Sequence, residues 1–124
     1  MMDDGNYESM VDDVLHKLHI KSTEKGYMYA KDIIILLHNR YRNNMRDAMK
    51  IVASDYGVSY KTIESAIRRC IKKGIINCSS QAKIDVFGYD ICANNKCSRN
   101  YYTVSEFIIY IMNYLHKLEK TYTG

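Results

Sequence analysis

From Met49 to Arg68 the chain reads MKIVASDYGVSYKTIESAIR, and this stretch decides the fold. Ala53 is small where two helices would have to cross closely, and Gly57 follows four residues later. A glycine there can adopt the positive φ that ends one helix and opens a tight turn into the next. The apolar residues of the stretch fall where the two helices would face each other or the core: Val52, Tyr56, Val58, Ile63 and Ala66. The spacing therefore predicts a helix-turn-helix whose second helix is presented outward.

The second helix has recognisable ends. Ser59 is a good N-cap because its hydroxyl can accept a backbone N–H of the first turn, and Gly74 stands where helices commonly end in the left-handed conformation. The helix is therefore predicted to run from about Tyr60 to Lys73. Its apolar residues repeat at helical spacing, which predicts burial of one side alone: Ile63, Ala66, Ile67, Cys70 and Ile71.

Polar and charged residues occupy the other side of this helix. Arg68 can fork two N–H donors onto O6 and N7 of a guanine, and Glu64, one turn earlier, can accept from the N4 amine of a cytosine. The alternative is a surface ion pair between Glu64 and Arg68. The candidate DNA-binding residues are Lys50, Ser59, Tyr60, Lys61, Glu64, Ser65, Arg68, Arg69 and Lys72, of which Lys50, Lys61, Arg69 and Lys72 are assigned to phosphates.

Length and charge narrow the class of protein. The chain has 124 residues, which suits one domain with a substantial core. We expect a soluble, cytoplasmic protein with no membrane partner, because neither a run of about 18 apolar residues nor a signal-peptide pattern occurs. The net charge of +4 is uneven: residues 1–20 hold five acids and one lysine, whereas nine Lys or Arg residues and three acids lie between His38 and Lys73. This basic patch favours a polyanionic partner.

The cysteines do not form a metal-binding pattern. Cys70, Cys78, Cys92 and Cys97 lack C-x-x-C spacing and the histidines are scattered, so we expect neither a metal site nor a cofactor. Cys70 falls on the buried side of the second helix, where a free thiol behaves as a small hydrophobe. No catalytic triad, paired carboxylates or phosphate-cradling glycine loop appears, so nothing indicates an enzyme.

Two helices are predicted before the decisive stretch. Residues 1–5 are expected to be disordered. An amphipathic helix should then run from about Tyr7 to Leu18, with acids in its early turns where the helix dipole favours them. After a break from Ser22 to Gly26, a largely buried helix is expected from Met28 to His38.

Two more helices are predicted after it. A short one is expected around Ser79 to Phe87, ending at Gly88, and residues 89–102 lack periodicity and indicate a long loop. Thr103-Val104-Ser105-Glu106 is a capping box, which starts a last helix that runs to about Lys120. The whole pattern predicts an all-α, six-helix domain over residues 1–124, in which helices 3 and 4 form the helix-turn-helix.

Several separated segments resemble one protein family. In chain order they are Lys25–Tyr29 (KGYMY), Glu64–Arg68 (ESAIR), Phe87–Tyr89 (FGY) and Ser105–Ile108 (SEFI), within a span from Val11 to Leu118. The chain resembles the C-terminal effector domain of the stage-zero sporulation response regulator of endospore-forming bacteria. The resemblance implies sequence-specific binding of promoter DNA and contact with RNA polymerase sigma factor, and a homodimer on DNA is a further expected state. Glu64 and Arg68 match family residues that contact bases, and Lys50 lies near another DNA-contacting position.

The chain departs from this family at two points. No segment resembles the family's phosphorylated receiver domain, so control by phosphorylation is not expected. Ser65 stands where the family has an arginine, which leaves the target site open. The alternative function is a protein-interaction module that holds sigma factor or a full-length regulator. Such a module would bind duplex DNA weakly and without sequence preference, and that behaviour distinguishes the two.

Overall fold

The computed structural model describes residues 4–39, 44–89 and 102–123, and these residues form helices, with no strand among them. The helices are α1 (Asp4–Lys17), α2 (Lys25–Asn39), α3 (Met45–Tyr56), α4 (Tyr60–Asn77), α5 (Ser80–Phe87) and α6 (Val104–Thr123). The prediction of an all-α fold with six helices is therefore confirmed.

The first helix begins earlier than its sequence pattern indicates. It starts at Asp4, within the segment 1–5 for which the sequence predicts disorder, and residues 1–3 lie outside the described residues. Tyr7 then holds this end of α1 in place, because its buried ring stacks on His38 of α2 with 3.5 Å between the ring centroids.

Helix α2 also begins a turn early, at Lys25 instead of Met28. The predicted break included Gly26, but Gly26 is helical and buried. A Cβ at this position would fall well inside contact distance of the Ala66 carbonyl oxygen and of the Cys70 sulfur. Glycine is thus required at Gly26 because two helix backbones approach closely there, and not because a helix ends.

One apolar core holds the helices together. Helix α2 packs against α1, α3, α4 and α6, and is the element on which the α3–α4 pair rests. The largest side chains with no accessible surface include Ile33 and Ile34 of α2, Ile63, Ile67 and Ile71 of α4, and Phe107, Ile108 and Ile111 of α6. Burying one such side chain contributes roughly 1.5–3 kcal/mol. The inner side of α4 is therefore fixed, and its outer side is left to solvent.

Helix α4 is longer than predicted. It passes through Gly74 and ends at Asn77, so the prediction that it stops near residue 73 is wrong. Gly74 is buried, and a Cβ there would lie 2.5 Å from the carbonyl oxygen of Leu18. This glycine permits a close approach to the α1–α2 connection. Cys78 instead caps the end of the helix: its backbone is extended, and its N–H donates to the Gly74 carbonyl at 2.8 Å.

The later elements follow their sequence signals. Ser79 caps α5 by accepting the N–H of Ala82 at 3.0 Å, and Gly88 ends it with φ of 88°. The capping box is also confirmed: the backbone N–H of Thr103 donates to Glu106 at 3.0 Å, and that of Glu106 donates to the Thr103 hydroxyl at 3.1 Å. Of the predicted loop at 89–102, residues 90–101 lie outside the described residues.

Candidate nucleic-acid interface

The turn between α3 and α4 is built as its sequence indicates. Gly57 has φ of 66° and ψ of 34°, the left-handed conformation, and its N–H donates to the Ser54 carbonyl at 3.1 Å. The N–H of Val58 then donates to the carbonyl of buried Ala53 at 2.9 Å. Ser59 starts α4, because its hydroxyl accepts the N–H of Thr62 at 3.1 Å. The three residues 57–59 thus form the turn between α3 and α4, and their hydrogen bonds fix the direction in which α4 begins.

Tyr56 departs from the predicted burial. Val52, Ile63 and Ala66 are buried and Val58 is half-buried, but Tyr56 remains 37% exposed. Its ring packs edge-on against Tyr29 of α2, and its hydroxyl donates to the Asp32 carboxylate. That hydrogen bond, with burial second, raises the pKa of Tyr56 to about 12. A long phenol at the end of α3 can therefore reach a polar partner on α2 instead of entering the core.

The predicted division of α4 into two sides is confirmed. Its inner residues Ile63, Ala66, Ile67, Cys70 and Ile71 are all buried. The candidate contact residues all reach solvent: Lys50, Ser59, Lys61, Arg68, Arg69 and Lys72 are exposed, and Tyr60, Glu64 and Ser65 are half-buried. All but two of these nine belong to α4; Ser59 caps it and Lys50 lies on α3. A ligand that follows the outer side of α4 would meet the seven candidates that this helix carries.

The outer side of α4 is strongly basic. Between Tyr60 and Asn77 the sequence has five Lys or Arg residues and a single acid, Glu64. Among residues 4–17, in contrast, α1 carries four acids and one lysine. The positive charge of the chain is therefore concentrated on the face that the turn presents, as a polyanion requires.

Glu64 and Arg68 form the ion pair that the sequence left as an alternative. Arg68 Nη2 lies 3.2 Å from Glu64 Oε1, with the two side chains 59% and 37% exposed. An exposed pair at this spacing contributes only about 0.3–0.5 kcal/mol. A bidentate contact from arginine to guanine is worth about 1–3 kcal/mol of discrimination. The pair is weak enough that the Arg68 guanidinium remains able to turn to another partner.

Cys70 is buried as predicted, but it is also a hydrogen-bond donor. Its thiol donates to Oε2 of Glu24 at 2.8 Å, which links α4 to the residue just before α2. Burial, and then the bond to Glu24, raise the pKa of the thiol to about 12. The thiol therefore stays protonated near neutral pH. The view of Cys70 as only a small hydrophobe is incomplete.

Sequence reasoning missed two basic residues beside this link. Lys25 and Lys73 line an open depression together with Arg69, at the junction of α2 and α4. Lys73 Nζ also lies 3.9 Å from Oε1 of Glu24. The signal that could have indicated the depression is Gly26, because a helical glycine often marks a place where two backbones meet.

Other kinds of site have little support in the part of the chain that the structure describes. No group of three or more His, Cys, Asp or Glu residues there could hold a metal ion. Cys92 and Cys97 lie outside the described residues. None of the described helices is both long and apolar enough to cross a membrane.

Comparison with known protein families agrees with this geometry. The family model described as "Sporulation initiation factor Spo0A C terminal" matches residues 11–115, from the middle of α1 to the middle of α6. The match includes α2, α3, α4 and α5 in full, and so all nine candidate contact residues. This is a family of DNA-binding transcription factor domains and not a family of enzymes. The chain belongs to the family of Spo0A C-terminal, DNA-binding domains of sporulation initiation factors.

Proposed function

We propose that the chain regulates transcription by binding a specific duplex DNA sequence, with α3 and α4 acting as a helix-turn-helix. The observation that carries the proposal is the outer side of α4, which is basic, solvent-exposed and directed outward by the turn at Gly57. In this role α4 enters the major groove, which is about 12 Å wide and admits a helix.

The side chains divide into two roles. Glu64, Ser65 and Arg68 face the base edges, since they lie in the first half of α4 beyond its cap. Glu64 and Arg68 are four residues apart, which is about 6 Å along the helix axis. Successive base pairs are about 3.4 Å apart, so the two side chains can reach base pairs one or two steps apart.

The remaining candidates contact the DNA backbone. Lys50, Lys61, Arg69 and Lys72 are exposed cations around the base-facing side chains and bind phosphates. Ser59 and Tyr60 stand at the start of α4, where a groove wall passes closest to the turn. These contacts set the register of α4 on the duplex but carry no sequence information.

The first prediction is a strong dependence of affinity on salt. Each phosphate neutralised by Lys or Arg releases a counterion, and log K falls by about 0.9 per contact for each tenfold rise in salt. With four phosphate contacts, affinity should fall roughly a hundredfold between about 50 and 200 mM salt. Fluorescence anisotropy with a labelled duplex measures this directly. An affinity that is flat over this range would rule out the DNA-binding function.

The second prediction concerns Ser65, where the family has an arginine. An arginine on this side of α4 can add one bidentate base contact, so Ser65→Arg should raise affinity for a family-type promoter box about tenfold. Thr62→Arg is the matched control, because Thr62 is an exposed residue of the same helix. It adds the same charge and should strengthen binding to all sequences alike.

The comparison needs wild type and both variants on the family box and on the site preferred by wild type. A gain by Ser65→Arg that is confined to the family box supports Ser65 as the point of divergence. Equal gains on both duplexes, or no gain on the family box, would remove that assignment.

A further inference from the structure

An open depression of about 290 Å³ lies where the first turn of α2 meets the middle of α4. Basic residues come to it from both helices: Lys25 from α2, and Arg69 and Lys73 from α4. Arg69 and Lys73 are four residues apart and so lie one turn apart on the same side of α4. All three side chains are exposed, and that of Lys73 is 70% exposed.

The lining of the depression has a net positive charge. Its one carboxylate is Glu24, against the three cations. Both oxygens of Glu24 have neighbours, because Oε2 accepts the Cys70 thiol at 2.8 Å and Oε1 lies 3.9 Å from Lys73 Nζ. The remaining excess of cationic side chains suits an anion that carries one negative charge, such as a phosphodiester.

The backbones that carry these cations are packed closely together. Gly26 follows Lys25 directly, and its missing Cβ lets the α2 backbone lie against the Ala66 carbonyl. The link from Cys70 to Glu24 joins the same two helices on the other side of Lys25 in the sequence. Lys25 is therefore anchored by the residues on both sides of it, and its ammonium group is presented to the same space as Arg69.

The depression lies at one edge of the outer side of α4, and Ser65 lies between this edge and Arg68 around the helix. Residues advance by about 100° around a helix, so Arg69 and Lys73 flank one edge of the outer side, and Glu64 and Arg68 flank the other. A helix seated in the major groove has a sugar-phosphate strand on each side of it. One of these strands would then run along the edge that faces α2.

We propose that this depression binds a phosphate of the DNA backbone through Lys25, Arg69 and Lys73. This rests on the proposed function and extends it, since α2 becomes a third DNA-contacting element and Lys25 and Lys73 join the interface. Glu24 has a defined effect in this arrangement. Its carboxylate repels the incoming phosphate and competes with it for Lys73, so it limits the affinity for every sequence.

The test compares single variants on two duplexes of equal length, the preferred site and a scrambled sequence, over a range of chloride concentrations. Lys25→Ala and Lys73→Ala should each reduce the slope of log K against log salt by about 0.9, and should weaken both duplexes by the same factor. Lys25→Arg should retain the wild-type slope. Lys117→Ala, which removes an exposed lysine of α6 away from the depression, is the control and should change neither quantity.

Glu24→Gln should change the affinity for DNA in the opposite direction to the lysine variants. The amide oxygen can still accept the Cys70 thiol, so the link between the helices is kept while the negative charge is lost. Affinity should rise equally on both duplexes. A fall in affinity for Glu24→Gln, with its circular dichroism spectrum unchanged, would overturn the repulsion assigned to Glu24.

The outcomes separate this site from the proposed function. If wild type binds with the expected salt dependence but Lys25→Ala and Lys73→Ala match Lys117→Ala, the phosphate site is overturned and the function stands. If wild type shows no salt-dependent binding, the function fails first.

Discussion

Gly26→Ala is expected to lower the free energy of unfolding by about 3 kcal/mol, at the upper end of the usual cost of overpacking. The added methyl group would overlap the backbone carbonyl oxygen of Ala66, which cannot move without shifting α4. It would also overlap the Cys70 sulfur on the same helix. Urea unfolding followed by circular dichroism gives the free energy.

Gly57→Ala is the control for this prediction. It makes the same chemical change at a position where the new methyl group has no neighbour within 4 Å. Its cost comes only from a φ of 66° and should be about 1–2 kcal/mol. If Gly26→Ala costs no more than Gly57→Ala, the close approach of α2 and α4 is not a strict requirement of the fold.

Arg68→Ala is expected to cost roughly 1–3 kcal/mol in affinity for the preferred DNA site and to relax discrimination at one base pair. The physical reason is the loss of two parallel N–H donors that match guanine O6 and N7. Breaking the ion pair with Glu64 contributes little, because the pair is open to solvent. Affinities for the preferred site and for its single-base variants measure the effect.

Lys72→Ala is the comparison for Arg68→Ala. Lys72 is an exposed cation one turn further along α4, so its removal tests the loss of a positive charge from the same helix. It should weaken all sequences alike and leave discrimination unchanged. If both variants lose the same affinity on specific and random duplexes, Arg68 is a phosphate contact and not a base reader.

The features that the sequence predicted well are local ones. Gly57, Ser59 and the capping box at Thr103 and Glu106 act within a few residues, so their spacing alone indicates the hydrogen bonds that the structure contains. The buried side of α4 was also predictable, since a period of 3.6 residues requires only that one side faces a core. Once the buried side of α4 is known, its candidate contact residues are the polar and charged residues on the opposite side.

The features that the sequence missed depend on distant partners. The sequence places Gly26 in a break between two helices and Gly74 at a helix end, yet each lies inside a helix and another backbone packs against it. A pattern within one helix cannot indicate which chain segment will approach it. The bond from Cys70 to Glu24 is a further case, since 46 residues separate them and only the packing of α2 on α4 brings them together.

Lys25 and Lys73 could not be identified as candidate contacts from the sequence for the same reason. In the sequence each lysine is one charge among many, and neither belongs to a motif for DNA contact. Packing brings both lysines and Arg69 to the rim of one depression. Lys25 reaches it from a position 44 residues before Arg69 in the chain. Local spacing therefore predicted the outer side of α4, whereas the positions of Lys25 and Lys73 beside it depend on how α2 packs against α4.

The most direct test of sequence-specific binding is selection from random duplexes, followed by the affinity of wild type for the enriched site and for a scrambled duplex at physiological salt. The account predicts one enriched box and an affinity for it that is at least about 10³-fold tighter than for the scrambled duplex. Arg68→Ala should lose most of that ratio. No enriched sequence, or equal affinities for the two duplexes, would contradict the account.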